Sequence, residues 1–148
     1  MKIDDALRNV LRLFLDTSPV IFFVEKNPIY VDRVRAIFQR IDSGPIIGVT
    51  SPVTLAEALV VPCRLNDALV QQQFLDLIVG ANNISFANVQ QKEAQNAADI
   101  RARYNLSLTD SFQVAVALET KCDALLTNDA RLKRITEIPI LVLDDLEI

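Results

Sequence analysis

A chain of 148 residues, 51% hydrophobic with only 3 Gly and 6 Pro, can build one domain with a substantial core and is too apolar to stay disordered. The formal net charge of -4 argues against a nonspecific nucleic-acid coat protein, and no apolar run nears the roughly 18 residues that span a bilayer. There is no histidine and no CxxC, which argues against a Cys/His zinc site and excludes any Ser-His or Cys-His nucleophile system.

The N-terminus, MKIDDALRNV, lacks the apolar core of a signal peptide, so a cytoplasmic protein without membrane partners is expected. Ile3, Ala6, Leu7, Val10 and Leu11 follow helical spacing and predict a short N-terminal helix. A strand is expected at about Arg12–Asp16, then a helix over Pro19–Glu25. A second helical pattern, Val31, Val34, Ile37, Phe38 and Ile41, is broken by Gly44-Pro45. Ile46–Thr50 reads as a strand. Ser51-Pro52 then marks a helix start, with Ser51 as cap, and Pro62 is expected to end that helix.

Asn66–Val79 reads as an amphipathic helix with Leu69, Phe74, Leu77 and Ile78 on its apolar side. A turn at Gly80-Ala81-Asn82-Asn83 leads into a short strand, Ile84–Phe86. Gln90–Tyr104 is Ala-rich and predicts a helix with a narrow buried stripe. Leu108–Lys121 predicts another, capped by Ser107 or Thr109. Asp123–Thr127 and Ile138–Leu143 complete the set as strands. Strands alternating with helices imply an α/β fold with a mostly parallel sheet flanked by helices. Cys63 and Cys122 have apolar neighbours and are expected to be core thiols.

Four acidic residues each interrupt or end an apolar stretch: Asp16 in LFLDTSPVIFF, Glu57 in SPVTLAEALVV, Asp110 in LSLTDSFQVAVAL and Asp129 in DALLTNDARL. Taken singly, each has an ordinary explanation as a turn, cap or surface residue. Together they are costly to desolvate without compensation. Asp16 and Asp129 lie at predicted strand ends. Glu57 and Asp110 lie in early turns of helices. All four can meet at one edge of the sheet, where open parallel sheets form their sites, despite gaps of 41, 53 and 19 residues. An all-oxygen donor set favours Mg²⁺ or Mn²⁺.

At these residues the chain resembles the PIN-domain ribonucleases, and in particular the VapC-type toxins of toxin–antitoxin pairs. The resemblance runs from Leu13 to Leu143. LFLDTSPVIFFVEKN is similar to the family's first strand with its acid, Asp16. SPVTLAEAL is similar to its helix-borne glutamate, Glu57. LSLTDSFQVAVALETKCDALLTND is similar to the block carrying the third and fourth acids, Asp110 and Asp129. Leu132 stands where an aromatic residue is common in the family. Residues 1–11 form a longer N-terminal helical extension than compact members have.

The resemblance implies a single PIN-like domain over residues 1–148, with a three-layer fold. It implies an Mg²⁺-dependent (or Mn²⁺-dependent) endoribonuclease, the toxin of a type II toxin–antitoxin pair, with an RNA substrate, a cognate antitoxin and a homodimeric state. Asp16 and Asp110 would be the principal metal ligands, with Glu57 and Asp129 binding directly or through water. Thr17, Ser18 and Thr127 are candidates for hydroxyls that orient the ligands, and Asn128 for support of Asp129 or for substrate contact. Arg101 and Arg103 near Tyr104, or Arg131, Lys133 and Arg134, are candidate phosphate contacts. The alternatives are a catalytically silent PIN-like binding module and a structure-specific DNA nuclease. An aspartyl-phosphate phosphatase is disfavoured, because Ser18 stands where a second acid would be needed.

Overall fold

The computed structural model describes all 148 residues. Its strands are β1 (Arg12–Leu15), β2 (Ile47–Thr50), β3 (Ile84–Phe86), β4 (Ala124–Thr127) and β5 (Ile140–Val142). Its α-helices are α1 (Ile3–Ala6), α2 (Thr17–Val24), α3 (Val31–Asp42), α4 (Pro52–Arg64), α5 (Ala68–Ile78), α6 (Gln91–Tyr104) and α7 (Leu108–Glu119). Short 3-10 helices follow β4 and β5, at Ala130–Arg134 and Leu143–Asp145.

The strands form one sheet in the order β3-β2-β1-β4-β5, and every pairing is parallel. Side chains alternate across a strand, so each central strand supplies both faces. Leu13, Leu15, Ala124 and Leu126 join Ile3, Val20, Ile37, Ala58 and Phe74 in a cluster that gathers α1 to α5 on one side. Phe14, Val49 and Leu125 join Ala97, Ile100, Val114 and Ala115 on the other, against α6 and α7. The expected three-layer arrangement is therefore present. The Val34, Ile37, Phe38 and Ile41 face of α3 is buried within the chain's own core and offers no apolar surface to a second copy.

Several local expectations are corrected. The N-terminal helix is a single turn, and Leu11 is exposed. The Asp123 carboxylate accepts hydrogen bonds from the backbone amides of both Leu11 and Arg12, at 2.9 Å each, and draws the chain out of helix into β1. Pro62 does not end α4, which continues to Arg64. A proline in the last turn forfeits only the one bond its missing N–H would make. Its ring is buried, its carbonyl accepts from Asp67 N at 2.9 Å, and Leu65 N still reaches Val61 O at 3.0 Å.

Cys63 is exposed and Cys122 only partly buried. The buried stripe of α4 is Thr54, Ala58 and Pro62 at four-residue spacing, so the next residue, Cys63, is turned about 100° away from it. Leu69 is exposed because Phe74 and Ile78 set the buried face of α5.

The N-terminal segment is built into the core. Ile3 is 1% exposed, its amide donates to Glu147 O at 2.8 Å, and Glu147 N donates to Met1 O at 2.8 Å. Ile3→Ala is therefore expected to lower unfolding free energy by about 2–5 kcal/mol in urea denaturation. A loss below about 1 kcal/mol would show that the segment is dispensable to the core.

Candidate active site

From β1 the chain proceeds to β2 on one side, while β4 occupies the other, so the carboxyl ends of β1 and β4 flank the point where strand order reverses. Sites in open parallel sheets form there. Asp16 is the first residue beyond β1. Its amide donates to Leu126 O at 3.0 Å, extending the β1–β4 ladder by one bond. Its carboxylate caps α2, with Oδ1 accepting from Thr17 N at 2.8 Å. Oδ2 accepts from the Thr127 hydroxyl at 2.7 Å.

Asp16 is 6% exposed. Burial pushes its pKa up to about 6; the Thr127 hydroxyl and the Thr17 N–H pull it down, and the nearby Asp110 and Glu57 charges raise it further. Desolvation outweighs the two donors.

Glu57 is placed by α4. Ser51 caps that helix, accepting from Val53 N at 3.1 Å, and Pro52 opens it. Glu57 then falls at the edge of the buried stripe and is half-buried. Its Oε1 accepts from the Thr17 hydroxyl at 2.7 Å. Thr17 therefore ties Glu57 to the Asp16 turn. Asp110 lies in the first turn of α7, and its amide donates to the capping Ser107 Oγ at 3.1 Å. The half-buried Asp110 carboxylate makes no ion pair but is close enough to raise Asp16.

Asp129 is in a different electrostatic state. Its amide donates to Thr127 Oγ1 at 3.0 Å, so Thr127 joins Asp16 and Asp129. Its own carboxylate is occupied by Arg131, through the backbone amide at 2.9 Å and side-chain contacts of 2.8–3.1 Å. The hydrogen bonds from Arg131 hold its pKa below the usual carboxylate range. No ion pair reaches Asp16, Glu57 or Asp110. As placed, no three acidic side chains converge on one point that would hold an ion.

Ser18 is half-buried in α2 and takes no part in this network. Asn128 Oδ1 is buried without a partner, and no hydrogen bond joins the Asn128 side chain to Asp129. Of the basic residues, Arg103 is engaged by Asp99 and Glu137, and Lys133 by Asp145. Arg101 donates to Leu106 O at 2.7 Å.

One residue escaped the sequence reading. Gln113 on α7 is fully buried, and its amide reaches Asp16, Thr17, Thr54 and Ser51. In FQVAVAL it reads as one polar position of an amphipathic helix; the only available signal was its place three residues beyond Asp110.

The donor set suits a hard divalent cation. Every candidate ligand atom is oxygen, and the buried Asp16 has no cationic side chain beside it. Mg²⁺ commonly keeps several waters and takes only one or two carboxylates, so a tight cage of protein ligands is not required.

The electrostatics give a pH test without any activity. Asp16 has a folded pKa of about 6 against an ordinary value of 3.8, so the folded state is favoured when it is protonated. That contribution is full below pH 3.8 and is lost as pH rises through about 6. In chelator, Asp16→Asn is expected to be more stable than the parent at pH 7.5 by up to about 3 kcal/mol, with the difference shrinking toward pH 4. Urea denaturation at the two pH values checks this, and a variant less stable at both contradicts it.

Residues 13–138 match the family model described as PIN domain. No curated protein matches the sequence. Among solved structures, a toxin–antitoxin complex from Klebsiella pneumoniae aligns with TM-score 0.65 at 18% identity, covering 88% of this chain and 97% of that one. A DNA-bound VapBC from Salmonella typhimurium gives 0.65 at 21% identity, covering 90% and 98%. A sarcin-ricin loop cleaving toxin from Mycobacterium tuberculosis gives 0.65 at 16% identity, covering 76% and 86%. At these identities the structural likeness is one of fold. The family model spans β1 to the approach to β5 and contains all four acids, and on that match the chain belongs to the PIN-domain family.

Proposed function

We propose that the protein is a divalent-metal-dependent endoribonuclease, and that it is the toxin of a type II toxin–antitoxin pair. The observation that carries this is the buried Asp16 at the switch point of the sheet, flanked by Glu57 and Asp110 and left without a protein cation. Membership of the PIN-domain family supports nuclease chemistry. The shared fold with a toxin that cleaves the sarcin-ricin loop supports RNA as substrate. The shared fold with toxin–antitoxin complexes supports an antitoxin partner. No helix is long and apolar enough to cross a membrane, in keeping with a cytoplasmic role.

In this proposal Asp16, Asp110 and Glu57 hold Mg²⁺ or Mn²⁺, with Asp129 contributing directly or through water. When bound, such an ion would activate the attacking water and offset charge on the phosphodiester. The chain's own part is orientation. Thr17 N–H and the Thr127 hydroxyl fix the two oxygens of Asp16, and the Thr17 hydroxyl fixes one oxygen of Glu57. Arg131 pairs with Asp129, and in this reading a substrate phosphate would exchange for that carboxylate. Beside Glu57 opens an apolar cleft lined by Pro52, Val53, Val89, Leu108 and Phe112, suited to the face of a nucleobase. A homodimer and an antitoxin contact would both draw on exposed apolar residues, and Val60, Val61, Leu65 and Leu69 supply them at the α4–α5 corner.

Purified protein is expected to cleave RNA with Mg²⁺ or Mn²⁺ and not in chelator. Asp16→Asn and Asp110→Asn, each folded by circular dichroism, are expected to lose at least about 100-fold in rate. Full activity in both variants sinks the site, and cleavage of DNA in preference to RNA sinks the substrate class.

Expression in a bacterial host is expected to arrest growth. Asp16→Asn is expected to abolish the arrest, and co-expression of an adjacent antitoxin gene to relieve it. Arrest that persists with Asp16→Asn would separate toxicity from this site.

A further inference from the structure

We propose that Gln113 is a positioning residue of the carboxylate site, orienting Asp16 and Glu57 through the Thr17 hydroxyl. This rests on the metal-dependent reading above. Gln113 is fully buried on α7, one helical turn beyond Asp110. Its Oε1 accepts from the Ser51 hydroxyl at 3.1 Å. Its Nε2 donates to Thr54 Oγ1 at 2.9 Å, and lies 3.4 Å from Thr17 Oγ1 and 3.5 Å from Asp16 Oδ1.

The partners fix which way the amide faces. The Thr17 hydroxyl proton goes to Glu57 Oε1 at 2.7 Å, so Thr17 Oγ1 is left as an acceptor. The Thr54 hydroxyl points to Leu15 O at 3.5 Å, so Thr54 Oγ1 also accepts. Asp16 Oδ1 is an acceptor when ionised. Three acceptors face one side of the amide, and its NH₂ serves them with two hydrogens: one goes to Thr54 Oγ1, and the other is shared between Thr17 Oγ1 and Asp16 Oδ1 at longer range. Ser51, whose oxygen accepts from Val53 N, supplies the single donor on the other side. Donors therefore run in one direction, from Ser51 to Gln113, from Gln113 to Thr17 and Asp16, and from Thr17 to Glu57.

Core packing does not account for this residue. Gln113 pairs the buried Ser51 and Thr54 hydroxyls, and the same NH₂ that meets Thr54 is turned toward Thr17 and Asp16. Nor would a Lys or Arg do the same work. A tethered positive charge would neutralise Asp16 and Glu57 internally and compete with a divalent ion. Gln113 turns an N–H toward Asp16 and the Thr17 hydroxyl oxygen while leaving the charge of the acids available.

The test uses the full chain and Mn²⁺ as probe, read by electron paramagnetic resonance. Gln113→Met is expected to weaken Mn²⁺ binding about 10- to 100-fold, with kcat for RNA falling by a similar factor and KM unchanged, as for other supports of metal ligands. A purely structural Gln113 lowers the melting temperature alone. Mn²⁺ affinity within about twofold of the parent in folded Gln113→Met overturns the proposal.

Should that variant not fold, Thr17→Val interrupts the same chain of donors at its other end, and unchanged Mn²⁺ affinity there overturns it equally. Where both variants fold, their effects are expected to be less than additive in the double variant, and full additivity counts against a shared path. Weakened Mn²⁺ binding in Gln113→Met, with no RNA cleavage by the parent, upholds Gln113 and removes the nuclease function. A parent that binds no Mn²⁺ removes both.

Discussion

Asp16 is an ionisable group with 6% exposure at the end of the middle strand of a parallel sheet, and most of the site follows from what its burial demands. The strand order places β1 between β2 and β4, and Phe14 and Leu15 lie in the cores on opposite faces. A residue just beyond that strand emerges between walls on every side. Two donors meet it there, Thr17 from the following helix and Thr127 from the neighbouring strand. They reduce the desolvation cost without cancelling it, which is why the carboxyl group titrates near pH 6.

The four acids divide by how their charge is compensated. Asp129 carries its own cation in Arg131, two residues along the chain, and its pKa falls. Asp16, Glu57 and Asp110 form no ion pair; neutral donors meet the first two, a backbone N–H, threonine hydroxyls and the amide of Gln113. The arginines and lysines nearest in sequence pair with surface acids instead, as Arg103 does with Asp99 and Glu137. Such exposed pairs contribute little to stability. Arg131 is the one basic side chain paired with a site acid, and its partner is Asp129.

Much of this was legible in the sequence because the relevant signals are local. Apolar runs bounded by caps and turns predicted all five strands. Ser51-Pro52 and Ser107 marked the starts of α4 and α7. What escaped depended on contacts far apart in sequence. The entry into β1 is held by Asp123, 112 residues from Leu11. The role of Gln113 depends on Asp16, 97 residues away, and on Ser51 and Thr54 across the sheet edge. The exposure of Cys63 is a matter of helical phase, in which one residue of offset moves a side chain from the core to solvent. The Arg131 contact was local, but a guanidinium two residues away has many rotamers, and the sequence alone does not choose among them.

The uncompensated charge also links binding to folding. Anything cationic that reaches Asp16 in the folded chain, and not in the unfolded one, recovers the free energy that burial costs and stabilises the fold by mass action. On the proposed function a divalent ion and a cationic side chain of an antitoxin draw on that same source. At Asp16 the two would compete, because one buried carboxylate cannot be fully compensated by both. On that proposal, inhibition would need no distant conformational change; occupancy of the site by the partner's cation would suffice. Arg131 shows the principle at small scale within the chain. Its guanidinium meets Asp129 in a two-oxygen contact and removes that acid's demand for another cation. A partner that placed a second guanidinium against Asp16 would do the same to the rest of the site, and its affinity would rise with the very burial that makes the metal-free site costly.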